Sequence, residues 1–321
     1  MNPVMLQNLS EPNPPAELTW SVMLPVYRPE PDYLRQALTS VLQQDPGPER
    51  MEIVVVDDCT PEGDVAALVK SIAGDRVACV RNERNLGLAG CWNKCIQIAR
   101  GRWIHLLHQD DFVSPGFYEK LEQAATLHPE VSLLATRSFF VDELSRIIGL
   151  TSRVPELENG GNDVRAFFYE NPLQCPGVAV KKSFYSAHGD YRTDLNYTLD
   201  CEMWVRVINT GGGVVLADIL SSYRVTSVSS SARMARSAQD IADLLLLHQL
   251  WAGRYPEFNP QRAKRLVLEQ VRRRITSFQK SGDQEAVQAN TDYWRKRATR
   301  TLRLAHALRR LLRRLLEKFY L

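Results

Sequence analysis

Between Trp20 and Leu107 the sequence alternates short apolar runs with stretches whose apolar residues recur every three or four positions. Trp20–Val26 is the first run, and Leu34, Leu38, Val41 and Leu42 then mark a helix over residues 31–44. Residues 53–56 are an unbroken β-branched run, the pattern of a strand covered on both faces of a parallel sheet, and residues 65–72 read as the helix after it. The unit repeats with a strand at 77–80, a helix at 90–99 and a strand at 103–107. Alternation of this kind predicts a doubly wound, mostly parallel α/β sheet.

Beyond residue 131 the pattern is mixed. A strand is expected at 131–136, a Gly/Asn break at 159–162 and a helix at 200–209 that Gly211, Gly212 and Gly213 stop. Ser227, Ser229, Ser230 and Ser231 predict a loose polar loop, and nearly everything after Ala232 reads as helix. At the other end, Pro3, Pro12, Pro14 and Pro15 leave residues 1–18 without hydrophobic pattern. Three segments follow: a flexible lead-in (1–18), an α/β domain (19–231) and a C-terminal helical appendage (232–321).

The 321 residues are 44% hydrophobic, enough for a substantial core. No run approaches the roughly 18 to 20 apolar residues of a membrane span, and the N-terminus lacks a signal-peptide pattern, so a cytoplasmic protein is expected. The six cysteines are then free thiols. Cys91 and Cys95 could share a helix face, but no second ligand pair follows at zinc-site spacing.

Charge divides the chain. Residues 261–321 carry 17 Lys/Arg against 5 Asp/Glu, which leaves 23 against 32 in the first 260. In the basic region Leu304, Leu308, Leu311, Leu312, Leu315, Leu316 and Phe319 would form one apolar stripe on a helix, with Arg303, Arg310, Arg313 and Arg314 off it. This predicts a peripheral helix on an anionic membrane surface, at the cytoplasmic face. Packing on the α/β domain or pairing in a homo-oligomer are the alternatives; a nucleic-acid partner is not expected.

In a doubly wound sheet ligands bind where the strands end at their carboxyl side. Those ends carry Tyr27 and Arg28, Asp57 and Asp58, Asn82 and Arg84, and His108, Asp110 and Asp111. A lone Asp is more often a helix cap, but four polar ends in succession weaken that reading. No G-x-G-x-x-G follows Val26 and no G-x-x-x-x-G-K-[ST] occurs, which argues against dinucleotide-fingerprint and P-loop enzymes. A divalent cation between carboxylates and a diphosphate is the remaining economical solution, and Asp110 and Asp111 supply oxygens suited to Mg²⁺ or Mn²⁺.

The motifs resemble those of the family 2 glycosyltransferases, inverting enzymes with the GT-A fold. Ser21–Tyr27 (S-V-M-L-P-V-Y) is similar to the family's opening strand, and Val54–Thr60 (V-V-V-D-D-C-T) to its V-V-D-D-x-S/T strand end. Arg84-Asn85-Leu86-Gly87 resembles the N-x-G loop, and Leu106–Asp111 (L-L-H-Q-D-D) the metal motif. Leu199–Arg206 (L-D-C-E-M-W-V-R) resembles the segment with the general base, and Tyr223-Arg224 the Y-R after it. The match spans about residues 20–230.

The resemblance implies a nucleotide-sugar donor, with UDP the expected nucleotide. Pro25, Tyr27, Asp57 and Asp58 would line the base and ribose pocket, with Asn85 and Asn93 near the nucleotide. Asp110 would hold Mn²⁺ or Mg²⁺ and Asp111 would stand beside it. Asp200 would be the general base toward a saccharide or lipid-linked saccharide acceptor. Pro176 and Gly177 fall at the family's acceptor-side loop, or form an ordinary turn. Two positions depart from the pattern: His108 stands where an acid is usual, and Thr226 where a His often follows Tyr-Arg. An imidazole still ligates Mn²⁺, so His108 joins Asp110 as a candidate ligand and shifts the preference away from Mg²⁺. His105 and His108 would point to opposite faces of their strand. The runner-up reading is a degenerate GT-A module that binds nucleotide sugar without turnover; the retained Asp200 speaks against it.

Overall fold

The computed structural model describes residues 18–297. It divides into two compact units, Met1–Val225 and Thr226–Leu321. In the first, a nine-stranded sheet runs β3-β2-β1-β4-β8-β6-β9-β5, with β7 paired to β6.

The parallel part is the one written in the first 107 residues. It comprises β1 (Trp20–Val26), α1 (Pro31–Leu42), β2 (Met51–Asp57), α2 (Val65–Ala73), β3 (Ala78–Arg81), α3 (Gly87–Ile98) and β4 (Trp103–Leu106). All seven residues of β2 are buried, which explains its unbroken apolar run. Helix α1 starts on Pro31, with the Glu30 carboxylate accepting from Asp32 N–H, and buries Leu34, Ala37, Leu38 and Val41 against the sheet. It ends at Leu42, short of the expected 44, because Gln44 turns back to accept from Phe117 N–H (2.9 Å). Register decides where the loops emerge: Trp20 pairs with Met51 and Val26 with Asp57, so β1 and β2 end level and Tyr27 leaves the sheet beside Asp58.

The second part contains β5 (Phe112–Val113), α4 (Phe117–Leu127), β6 (Leu133–Val141), β7 (Ile147–Leu150), β8 (Val178–Lys181), α5 (Lys182–His188), α6 (Leu199–Gly211) and β9 (Gly213–Arg224). Pairing here is mixed. β8 runs antiparallel to β4 and β6, and β5 to β9, while β6 and β9 are parallel. β6 is longer than the expected 131–136 and folds back into β7 through a turn at Ser145 (φ 60°). Helix α6 ends where expected, with Gly212 at φ 69°.

The second unit holds α7 (Ser230–Ser237), α8 (Asp240–Ala252), α9 (Pro260–Ser281) and α10 (Gln284–Arg297). Its core gathers Ile241, Val267, Leu268, Val271, Ile275 and Trp294. Buried Asp240 receives two hydrogen bonds from Arg274, at 2.7 and 3.0 Å. The serine run is not a loose loop. Ser229 Oγ accepts from Ala232 N–H (3.1 Å) and starts α7, a Ser cap satisfying a donor that the helix leaves over. The lead-in 1–17 and the stripe from Leu304 to Phe319 lie outside the described residues. No described helix is long and apolar enough to cross a membrane.

Candidate active site

The carboxyl ends of β1, β2 and β4 converge. At β1, half-buried Pro25 pairs with Val56, and Tyr27 beyond it is 41% exposed. The Gln109 side-chain amide clips Tyr27 in place, accepting from Tyr27 N–H (2.8 Å) and donating to Tyr27 C=O (3.3 Å). Arg28, at φ 49°, lays its guanidinium 5.4 Å from the Tyr27 ring centre. An open, clamped aromatic face of this kind suits stacking by a base.

Asp57 and Asp58 stand at this pocket with their oxygens committed to the protein. Asp57 is paired with Arg81 and accepts from Thr60 N–H (2.9 Å). Asp58 accepts from Asn82 Nδ2 (2.8 Å), Leu86 N–H (2.8 Å) and Gly87 N–H (3.0 Å). These acids close the loops around the pocket rather than presenting free oxygens to it. Exposed Asn85 caps Gly87 N–H at the start of α3 (2.9 Å). Asn93, expected near the nucleotide, has its amide engaged within the protein: it donates to Tyr191 C=O and accepts from Tyr191 N–H, both at 2.9 Å. With both halves of the amide used, Asn93 is a splint between α3 and the loop before α6.

At the end of β4, His108, Asp110 and Asp111 bring one ligand atom each within 4.8 Å of one another. Asp111 is 1% exposed; its Oδ1 accepts from Arg224 N–H (2.7 Å), and its Oδ2 lies 3.4 Å from His108 Nδ1. Asp111 Oδ2 and His108 Nε2 are buried without a hydrogen bond. Buried polar atoms of this kind call for a partner. A divalent cation suits this donor chemistry, since the atoms without a hydrogen bond are a carboxylate oxygen and an imidazole nitrogen, and a mixed imidazole–carboxylate donor set suits Mn²⁺ at least as well as Mg²⁺. Burial, then the neighbouring Asp111 charge, pushes Asp110 up to about 6. Burial by itself would lower His108, but hydrogen bonding and charge from Asp111, then Asp110 and Asp200, outweigh it and raise its pKa. His108 stacks on Trp92 of α3, with ring centres 4.9 Å apart.

Asp200 sits in the first turn of α6. Its Oδ1 accepts from Cys201 N–H (2.7 Å) and its Oδ2 from Asn171 Nδ2 (3.0 Å). Burial raises it to about 6, against the lowering effect of those donors and of His108. The aromatic series Trp92, Tyr191, Trp204 links the two acidic groups, with ring centres 5.0 and 6.2 Å apart.

His105 turns the other way, as expected from strand alternation. Its Nε2–H donates to Pro176 C=O (3.1 Å), Nδ1 accepts from the Tyr118 hydroxyl (3.0 Å), and burial lowers its pKa to about 4, so it stays neutral. Pro176 and Gly177 form a buried 3-10 turn in which a Cβ on Gly177 would lie 2.8 Å from Ser221 Oγ and Thr136 C=O. Cys91 and Cys95 are buried, with Cys91 Sγ 3.7 Å from Val56 C=O, and form no metal cluster among the described residues.

Sequence reasoning gave no role to four residues that shape the site: Gln109, Trp92, Asn171 and, above all, Arg224. The Arg224 side chain is 1% exposed. It donates to Asp110 C=O (2.9 Å), Asp142 C=O (2.9 Å), Ser145 Oγ (3.1 Å) and Gln36 Oε1 (2.6 Å), and its guanidinium lies 4.2 Å from the Tyr33 ring centre. With Glu143 C=O (3.4 Å) as a fifth acceptor, a buried arginine flanked by an aromatic ring and held from several segments is a bracket. The Y-R pair was its one signal in the sequence.

The chain belongs to glycosyl transferase family 2, whose family model matches residues 21–183. It is 28% identical over 243 residues to uncharacterized protein MT1568 of Mycobacterium tuberculosis, covering 71% of this chain and 74% of that one. It is 29% identical over 216 residues to the amylovoran biosynthesis glycosyltransferase AmsE of Erwinia amylovora, covering 65% and 77%. Among solved structures, S. aureus TarS 1-349 in complex with UDP-GlcNAc superposes with a TM-score of 0.57 at 17% identity, over 78% of this chain and 71% of that one. Against the longer TarS chain the coverage is 42%. The chain is thus a transferase of GT2 type related to enzymes of polysaccharide biosynthesis.

Proposed function

We propose that the chain is an inverting hexosyltransferase that takes a sugar from a UDP-sugar and passes it to a hydroxyl of a saccharide, carried on a lipid. The observation that carries this reading is Asp200, a carboxylate raised to about 6 and aimed by Asn171 and Cys201 N–H, in the same unit as the His108–Asp110–Asp111 group. Tyr27 stacks on the base, with Pro25 beneath it, and the Asp57–Arg81 and Asp58–Asn82 pairs hold the pocket wall. Asn85 borders the same pocket at the start of α3. Asp200 takes the proton of the acceptor hydroxyl while that oxygen attacks the anomeric carbon opposite the diphosphate, so a single displacement inverts the centre. Asp110 and His108, with Asp111 beside them, would hold Mn²⁺ or Mg²⁺, which supplies charge neutralisation for the departing diphosphate.

UDP is supported by the UDP-GlcNAc and UDP complexes of TarS. The lipid-linked acceptor is supported by the likeness to a protein named for glucosyl transfer to a diphosphoundecaprenol-linked sugar, WfaP of Escherichia coli, 26% identical over 113 residues. Residues 19–231 would perform transfer, and the basic 232–321 region would hold the enzyme at the cytoplasmic face of an anionic membrane. Purified protein with Mn²⁺, given a panel of nucleotide sugars and assayed for nucleotide release, tests the reading. Release from at least one UDP-sugar, lost in chelator, is expected; no release from any donor overturns it.

A further inference from the structure

His108 stands where an acid is usual, and the exchange changes what the site must hold in place. A carboxylate has two oxygens and about four lone-pair directions, so it can turn and still meet a cation; a neutral imidazole has one accepting nitrogen, whose lone pair lies in the ring plane. A ligating histidine therefore works only when its plane is fixed, and the torsion that sets the plane is soft. A hydrogen bond from the second ring nitrogen usually fixes it. Here that contact is long, with Nδ1 3.4 Å from Asp111 Oδ2, and Nε2 has no hydrogen bond.

What faces the ring is Trp92. Indole and imidazole are stacked, with centres 4.9 Å apart and planes 30° apart. Trp92 is buried on α3 and wedged from behind, where the Tyr191 ring meets its indole edge-on at 5.0 Å and 79°. The Tyr191 main chain is tied to α3 by both halves of the amide of Asn93, the residue next to Trp92. Tyr191 in turn rests on Trp204 of α6, and its hydroxyl meets that of Tyr185 at 3.4 Å. A buried tryptophan ordinarily finds a partner for its N–H, but that of Trp92 has none, so the residue serves through its ring face. We infer that Trp92 is a positioning residue of the metal site: its indole face fixes the plane of the His108 ring, and this lets an imidazole stand in for a carboxylate there. The inference rests on the proposed metal role of His108 and Asp110.

The test uses the full chain and two readouts. The first needs no metal: proton–carbon spectra resolve the side chains of the six histidines, and the line lost in His108→Asp marks His108. Stacking on an indole shifts that line upfield. Trp92→Met, which fills the space without an aromatic face, should move it downfield, and Trp92→Phe should move it partway. The second readout is affinity for Mn²⁺, alone and with UDP, from the electron paramagnetic resonance of the free ion. Trp92→Met should weaken it about tenfold, the scale for losing a group that orients a ligand, and Trp92→Phe should keep most of it. In a His108→Asp background Trp92→Met should change it less than about twofold, because a carboxylate needs no fixed plane. An indole that only supports the fold would cost the same in both backgrounds. Equal losses in the two, or an unmoved His108 line, overturn the inference. If Trp92→Met does not fold, Trp92→Phe carries the same comparison: a His108 line shifted partway with Mn²⁺ affinity kept supports the inference, and an equal loss in both backgrounds overturns it. Wild-type protein that binds no Mn²⁺ in either condition overturns the metal reading and the inference together, whereas the other contrary outcomes overturn the inference alone.

Discussion

Asp200 carries two opposed consequences of one burial. Its carboxyl is raised to about 6, so the base is largely protonated at pH 5 and ionised at pH 7.5; turnover should climb about tenfold per pH unit below 6 and level off above it. Asn171 helps to hold that value down, so Asn171→Ala should move the inflection of the rate profile to higher pH without abolishing nucleotide binding. Asp200→Asn should keep donor binding by calorimetry and lose transfer by roughly 10²-fold or more. Loss of binding would instead make Asp200 a donor ligand. The raised pKa also affects stability. A group that holds its proton more tightly folded than unfolded costs nothing below about pH 4, where it is protonated in both states; between about 4 and 6 the native state binds more protons, so stability falls as pH rises through that window. Removing the charge should therefore stabilise the free protein at pH 7 by about 1 to 3 kcal/mol and change little at pH 3.5, as read by chemical denaturation.

Asp110 tests the metal assignment at the same scale. Asp110→Ala should abolish turnover at any Mn²⁺ concentration, while the wild type should prefer Mn²⁺ to Mg²⁺ because the donor set includes His108. Ordinary kinetics in Asp110→Ala, or full activity in excess chelator, would remove the cation from the mechanism.

At the scale of elements, the bracket made by Arg224 predicts a large and specific loss. Arg224→Met leaves Asp110 C=O, Asp142 C=O and Gln36 Oε1 without their donor in a buried place, which costs about 3 kcal/mol or more. Arg224→Lys should rescue little of it, because one ammonium cannot span acceptors on three segments. Thermal melts of the two variants decide this. The elements also show which parts of the molecule were legible beforehand. β1, β2 and β4 were, since a strand buried on both faces declares itself by an unbroken apolar run, while the mostly exposed edge strand β3 showed only through the strand–helix alternation; the register of β1 and β2 brings Tyr27 and Asp58 to one level. The β6–β7 hairpin was not: Ile147 and Ile148 look like any core pair until their exposure is known. Asp110 and Asp200 stood out through motifs, but the bracing of Asn93 did not, because its partner, the Tyr191 backbone, lies 98 residues away in a loop with no pattern. The serine run was read by composition when its position before a helix mattered more.

At the scale of the whole molecule, the basic region sets the design of the membrane experiment. A chain cut near residue 290 would remove Trp294 from the core of the second unit and disturb Asn290, which donates to Ala235 C=O and Arg236 C=O. A chain ending at 297 keeps every described residue of α10. It should remain folded and lose the salt-sensitive share of its flotation with anionic vesicles; an unfolded product would assign residues 298–321 to packing instead.

The Arg224 bracket has a bearing on how the enzyme comes into being. A guanidinium sheds its water only when replacement acceptors are in place, and these come from α1, the loop after β4 and the β6–β7 turn; together with β9, which carries Arg224, the four segments are spread over nearly 190 residues of sequence. None of the four segments gains from the cation until the others have arrived. One side chain thus ties the Asp110 loop to three other segments, so a change that loosens any of them should loosen that loop as well.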